Sequence, residues 1–168
     1  DTLIARLAKR EPARTEADIQ ADIFALLTVG ELNIGDDQAH MESPSADGTR
    51  RRIDVEVGQL AIEVKKDLRS QTVRADGEAQ LEGYITTRTK QSGAHYSGIL
   101  TDGVLWLLFN VGAEGRRLVT ELNMNGKETH VLVRWLEAVL STQTQVKPTP
   151  AEIVRRLGAN SPAHLVDV

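Results

Sequence analysis

The stretch RRIDVEVGQLAIEVKK, residues 51–66, constrains the fold more than any other part of the chain. Apolar residues recur at every second position on both sides of Gly58-Gln59, the period of a β-strand with one buried face. Glycine as the first of two central residues suits a type II′ turn, so the pattern predicts a tight hairpin. With Val57 paired to Leu60, Val55 falls opposite Ile62 and Ile53 opposite Val64, and these make one continuous apolar face. The other face sets Glu56 against Ala61 and Asp54 against Glu63. Directly opposed residues have Cβ atoms about 4.5–5.5 Å apart, so two carboxylates there repel unless something positive lies between them. Lys65 projects from that same face, because side-chain direction repeats every two residues.

A hard divalent cation fits that gap. Mg²⁺ takes oxygen ligands at about 2.0–2.1 Å and commonly needs only one or two protein carboxylates beside water and a substrate phosphate. The carbonyl of Val64 can supply a further ligand. Lys65 would hold or deprotonate the attacking water, or neutralise charge in the transition state, which suits hydrolysis of a phosphodiester. The competing reading is plain: charged residues on the open face of an antiparallel hairpin are often solvated decoration.

Around the hairpin the chain alternates helices and strands. Residues 15–28 read as a helix, with Thr15 as N-cap, Asp18 three residues on, and a stripe at Ile19, Ile23 and Leu26/Leu27. A connection over 31–49 has room for a short edge strand near 38–43. A second helix is predicted over 76–90, stopped by Gly93. Asp102-Gly103 joins two apolar β runs, 116–122 reads as a further strand, and a helix follows from about 127 to 142. A linker then leads to a short helix opened by Pro150 and ended by Gly158. The fold expected is α/β: a central mixed sheet flanked by helices, with residues 1–142 as one domain and 143–168 as linker and terminal helix.

Composition narrows the function classes. The chain has no cysteine, and His40, His95, His130 and His164 show no ligand spacing, so thiolate and zinc sites are not expected. No run approaches the roughly 20 apolar residues of a membrane span, and a soluble, cytoplasmic protein is expected. The net charge is −4, yet residues 50–90 carry nine Lys/Arg against seven Asp/Glu. The basic excess therefore sits beside the hairpin.

Glu16 leans toward the apolar side of the first helix, although an acid in a first turn is also favoured by the helix dipole. Gln80 and Tyr84 lie one turn apart on one face of the second helix; alone they read as ordinary boundary residues. Together, Glu16 on a helix, Asp54 on one strand, Glu63-Val64-Lys65 on the next, and QLEGY at 80–84 resemble the PD-(D/E)XK nuclease superfamily. TEADIQADI, IDVEV with AIEVKK, AQLEGY and GILTDGVLWLLF are similar, in order and spacing, to the N-terminal nuclease domain of type I restriction enzyme R subunits and of related single-chain restriction-modification enzymes. The resemblance covers roughly residues 14–110. One departure is Ile53, where the superfamily name has proline.

The resemblance implies a restriction-endonuclease-like core and a DNA endonuclease serving restriction, an antiviral defence. It implies that Asp54 and Glu63 bind Mg²⁺ or Mn²⁺, that Glu16 tunes or completes the metal site, that Lys65 assists the water, and that Gln80 and Tyr84 position the DNA backbone or the active-site side chains. Arg50, Arg51, Arg52, Lys66, Arg69 and Arg74 are candidates for phosphate contacts on charge alone; a solvated basic surface is the alternative. Because the chain starts at Asp1 and ends after a linker, it reads as a piece of a larger protein. A covalently linked translocase or methyltransferase is expected beyond it. A non-catalytic DNA-binding or assembly module, or a repair or RNA-directed nuclease, would share much of this pattern.

Overall fold

The computed structural model describes residues 2–30, 32–35, 37–45 and 48–142; the linker and terminal helix expected over 143–168 lie outside the described residues. The elements in chain order are α1 (Thr2–Leu7), α2 (Glu16–Thr28), β1 (Ala39–Pro44), β2 (Arg52–Val57), β3 (Leu60–Val64), α3 (Gln71–Ser92), β4 (Ser97–Thr101), β5 (Leu105–Gly112), β6 (Gly115–Asn123) and α4 (Thr129–Ser141). The chain is thus an α/β protein with a six-stranded mixed sheet flanked by helices, its strands in the order β1-β2-β3-β4-β5-β6. Among the described strands, only β3 and β4 run parallel. That pairing requires a long crossover, which α3 provides, whereas the other neighbours are joined by turns or short connections. Among the described residues, no helix is long and apolar enough to cross a membrane.

Local chemistry sets several boundaries. Thr15 and Asp18 form a complete capping box at the start of α2. Gly58 has φ of 54° while Gln59 stays at negative φ, which is the type II′ pattern at the β2–β3 turn. The predicted register holds at Val57–Leu60, Glu56–Ala61 and Val55–Ile62. Val55, Val57, Leu60 and Ile62 are all fully buried. At about 1.5–3 kcal/mol for each such side chain, a one-residue slip that took them out of this core and put Asp54, Glu56 and Glu63 in their place would cost far more than the turn could return.

The sheet carries a core on each face. Val55, Val57, Leu60, Ile62, Val64, Ile99 and Trp106 pack against α1, α2 and α4. Ala61, Leu100, Leu107 and Phe109 pack against Leu81, Tyr84 and Ile85 of α3. Ile53 belongs to this second core, so the single apolar face expected for Ile53, Val55 and Val64 is corrected: β2 changes sides at Asp54. One helix expectation is also corrected. The helix α3 starts at Gln71 rather than 76, because Ser70 caps it by accepting from the Val73 N–H. The sequence reading also missed α1, which is short and draws its stability from Ile4 and Leu7 in the first core.

Candidate functional site

The carboxyl ends of the parallel pair β3–β4 point to the same end of the sheet as the starts of α2 and α3. In α/β sheets this is where ligands bind. Asp54 sits here because the ladder between β2 and β3 stops at Val55–Ile62. An unbroken ladder would next bond the Val64 N–H to the Ile53 carbonyl. That N–H instead donates to Asp54 Oδ2 at 2.7 Å. On the other side of β2, Glu42 is skipped between the pairs Met41–Val55 and Ser43–Ile53, and it has φ of 54°. A left-handed glutamate costs of order 1–3 kcal/mol and persists only where its surroundings impose it. Gln20 imposes it in part: its Nε2 donates to the Asp54 carbonyl and to Glu42 Oε1, both at 2.8 Å.

Glu63 is 4% exposed. Its Oε1 lies 2.7 Å from Lys65 Nζ, and Lys65 Nζ also donates to Gln80 Oε1 at 2.6 Å. Its Oε2 is enclosed and has no hydrogen-bond partner among the described residues. Burial pushes the Asp54 carboxyl up to about 6, against the Val64 N–H and the Lys65 charge, which lower it. Burial, then the neighbouring Asp54 charge, pushes Glu63 up to about 7 despite its contact with Lys65. Glu16 adds to both increases. The expected acid pair therefore shares one enclosed space with the ammonium.

The remaining candidates divide. Gln80 joins the centre through Lys65. Glu16 stands at its rim, where its Oε1 accepts from the Lys66 N–H at 3.1 Å. The Tyr84 hydroxyl donates to the Arg52 carbonyl at 3.1 Å, behind β2, and Arg52 Nη1 donates to the Glu42 carbonyl. These two residues brace the irregular part of β2. Arg50 and Arg51 are exposed on the β1–β2 connection. Lys66 Nζ donates to the Pro12 carbonyl, Arg69 clasps Asp67, and Arg74 bonds Glu78 within α3.

Four participants escaped the sequence reading. Gln20 and Glu42 carry no local signal. Gly77 lies on α3 where an added Cβ would come within 3.3 Å of both Lys65 Cγ and Cε and 2.7 Å of Leu100 Cδ1, so its lack of a side chain opens the channel for the lysine stem. Asp102 looked like a turn residue and also ties the site down. Its side chain is fully buried and accepts from the Leu68, Val104 and Leu105 N–H groups and from Arg10. It thereby fixes the segment following Lys65.

An enclosed carboxylate oxygen without a donor, beside a second acid whose charge burial disfavours, fits a hard cation. No three His, Asp or Glu side chains among the described residues converge closely enough to hold an ion alone. Mg²⁺ does not require it, since water and substrate oxygens fill most of its shell. Comparison with family profiles, with curated proteins and with solved structures returns no match for this chain.

Proposed function

We propose that this chain is a Mg²⁺- or Mn²⁺-dependent endonuclease domain with a restriction-endonuclease-like core, hydrolysing DNA phosphodiester bonds as the cleavage module of a larger restriction enzyme. The observation that carries the reading is the enclosed, unpartnered Oε2 of Glu63 beside Asp54, with Lys65 alongside. Asp54 and Glu63 would hold the ion, with the Val64 carbonyl as an additional oxygen donor, while Glu16 at the rim adds negative charge to the site. When bound, the ion supplies Lewis acidity to the phosphoryl group and acidifies water. Lys65 has three N–H donors; Glu63 and Gln80 engage two, leaving one for a substrate oxygen or the attacking water. Gln80 keeps the ammonium from collapsing fully onto Glu63. Val64 and Gln20 fix Asp54 from front and back, so both carboxylates are oriented before substrate arrives.

Plasmid nicking in Mg²⁺ or Mn²⁺, with and without EDTA, tests this directly. Duplex DNA, single-stranded DNA and RNA are compared, and wild type is set against Asp54→Ala. Metal-dependent nicking of duplex DNA that Asp54→Ala abolishes is expected. Absence of cleavage on all three substrates, or nicking indifferent to Asp54, overturns the reading. DNA binding without cleavage would instead assign a non-catalytic module.

A further inference from the structure

Beside the acid pair lies a cavity of about 470 Å³, walled by the α1–α2 and β3–α3 connections. We infer that it is a binding site for the phosphate backbone of the DNA strand next to the scissile bond, and that Asp67 occupies the place of one phosphate until DNA displaces it. The inference rests on the nuclease reading for what lies next door.

Lys65 and Lys66 are consecutive and point to opposite sides of the strand end. Lys65 reaches α3 and the acid pair, whereas Lys66 reaches the Pro12 carbonyl in the cavity wall. Glu16, which accepts the Lys66 N–H, belongs to both spaces. A strand with one phosphate at Lys65 therefore meets Lys66 at the next position.

Within the cavity one guanidinium clasps a carboxylate and the charge of a second stands beside it. Arg69 Nε lies 3.0 Å and Arg10 Nε 3.6 Å from Asp67 Oδ1, and Arg69 Nη2 reaches Asp67 Oδ2 at 2.6 Å. The Arg69 fork on a planar anion is the arrangement that also recognises phosphate, while Arg10, whose Nε and Nη2 donate to Asp102 Oδ2, adds positive charge beside it. The Arg69 side chain is 69% exposed, and exposed ion pairs of this kind contribute little to stability. Exchange of Asp67 for a phosphate diester therefore costs chiefly the Arg69 backbone N–H bond that Asp67 Oδ1 also accepts at 2.9 Å. The second acid facing the cavity, Asp102, cannot compete in the same way, because three backbone N–H groups and Arg10 already saturate it. Lys9 lines the same wall, and no ion pair among the described residues engages it.

The test is fluorescence anisotropy with a labelled DNA duplex in EDTA, as a function of salt, so that no cleavage occurs. Each lost phosphate contact lowers the salt slope by about 0.9, or roughly tenfold in affinity at 0.1 M salt. Lys66→Ala with Arg69→Ala should lower the slope by about 2, and Asp67→Asn should tighten binding about threefold or more. Lys90→Ala, one charge removed about 30 Å away at the far end of α3, should do neither. Thermal unfolding confirms that each variant is folded. If the Lys66/Arg69 variant binds with unchanged slope, or Asp67→Asn weakens binding, the inference is overturned even where nicking depends on Asp54. If nicking fails but these shifts appear, the cavity assignment stands and the nuclease reading falls alone.

Discussion

The acid at the centre of the site makes a stability prediction of unusual sign. Glu63 titrates near 7 in the folded protein against 4.5 for an ordinary glutamate. Each pKa unit corresponds to about 1.4 kcal/mol, so ionised Glu63 costs the fold about 3 kcal/mol at high pH. The folded protein holds this proton more tightly than the unfolded chain does. Its stabilising effect is therefore complete below about pH 4.5, is lost as pH rises toward about 7, and is absent above. Glu63→Gln keeps the shape and removes the charge. At pH 8 in EDTA the variant should be about 2–3 kcal/mol more stable than wild type, a rise of roughly 4–10 °C in Tm for a chain of this size. At pH 5 the gain should shrink to under about 1 kcal/mol. Thermal unfolding at the two pH values measures both quantities, and plasmid nicking in Mg²⁺ should show the stabilised variant to be inactive. A variant no more stable than wild type at pH 8, or a gain that does not change with pH, would refute the reasoning that burial and Asp54 together strain this carboxylate.

Three further outcomes follow from the same geometry. Gly77→Ala should slow cleavage about tenfold and cost about 1 kcal/mol or more of stability despite its better helix propensity, because the new methyl meets Leu100 Cδ1 at 2.7 Å in the core and crowds the Lys65 stem at 3.3 Å; an unchanged cleavage rate with a well-folded variant removes Gly77 from the site. Tyr84→Phe should cost about 1–2 kcal/mol in denaturant unfolding while most cleavage survives, since its hydroxyl serves the Arg52 carbonyl; a hundredfold loss of rate would put that hydroxyl in the chemistry. Asp102→Ala should cost about 3 kcal/mol or more and speed hydrogen exchange at Leu68 and Val104, whose N–H groups lose their acceptor; a cost under about 1 kcal/mol would show that water replaces it.

The parts legible from the sequence share a short range. Gly58 and Thr15 act on residues within a few positions, and the alternation of Val55, Val57, Leu60 and Ile62 states its own register. The start of α3 was harder to read, because its first turns hold few apolar residues and Gly77 lowers the helical signal, while packing on β3 and β4 holds it. The sidedness of Ile53 was misread for a related reason. Alternation assumes an unbroken strand, and the break at Asp54 depends on a side chain replacing a backbone rung.

The sequence by itself determined the hairpin, the capped helix α2, the mixed α/β layering and the nearness of Asp54, Glu63 and Lys65, since each depends on local turn chemistry and on the period of burial. Tertiary structure alone decided that Glu63 is enclosed with one oxygen unpaired, that Gln20 grips Asp54 from 34 residues away, and that the Glu16 side chain meets the Lys66 backbone across 50. A carboxylate's charge state depends on what excludes water from it, and here that enclosure is built by segments the chain brings together only on folding.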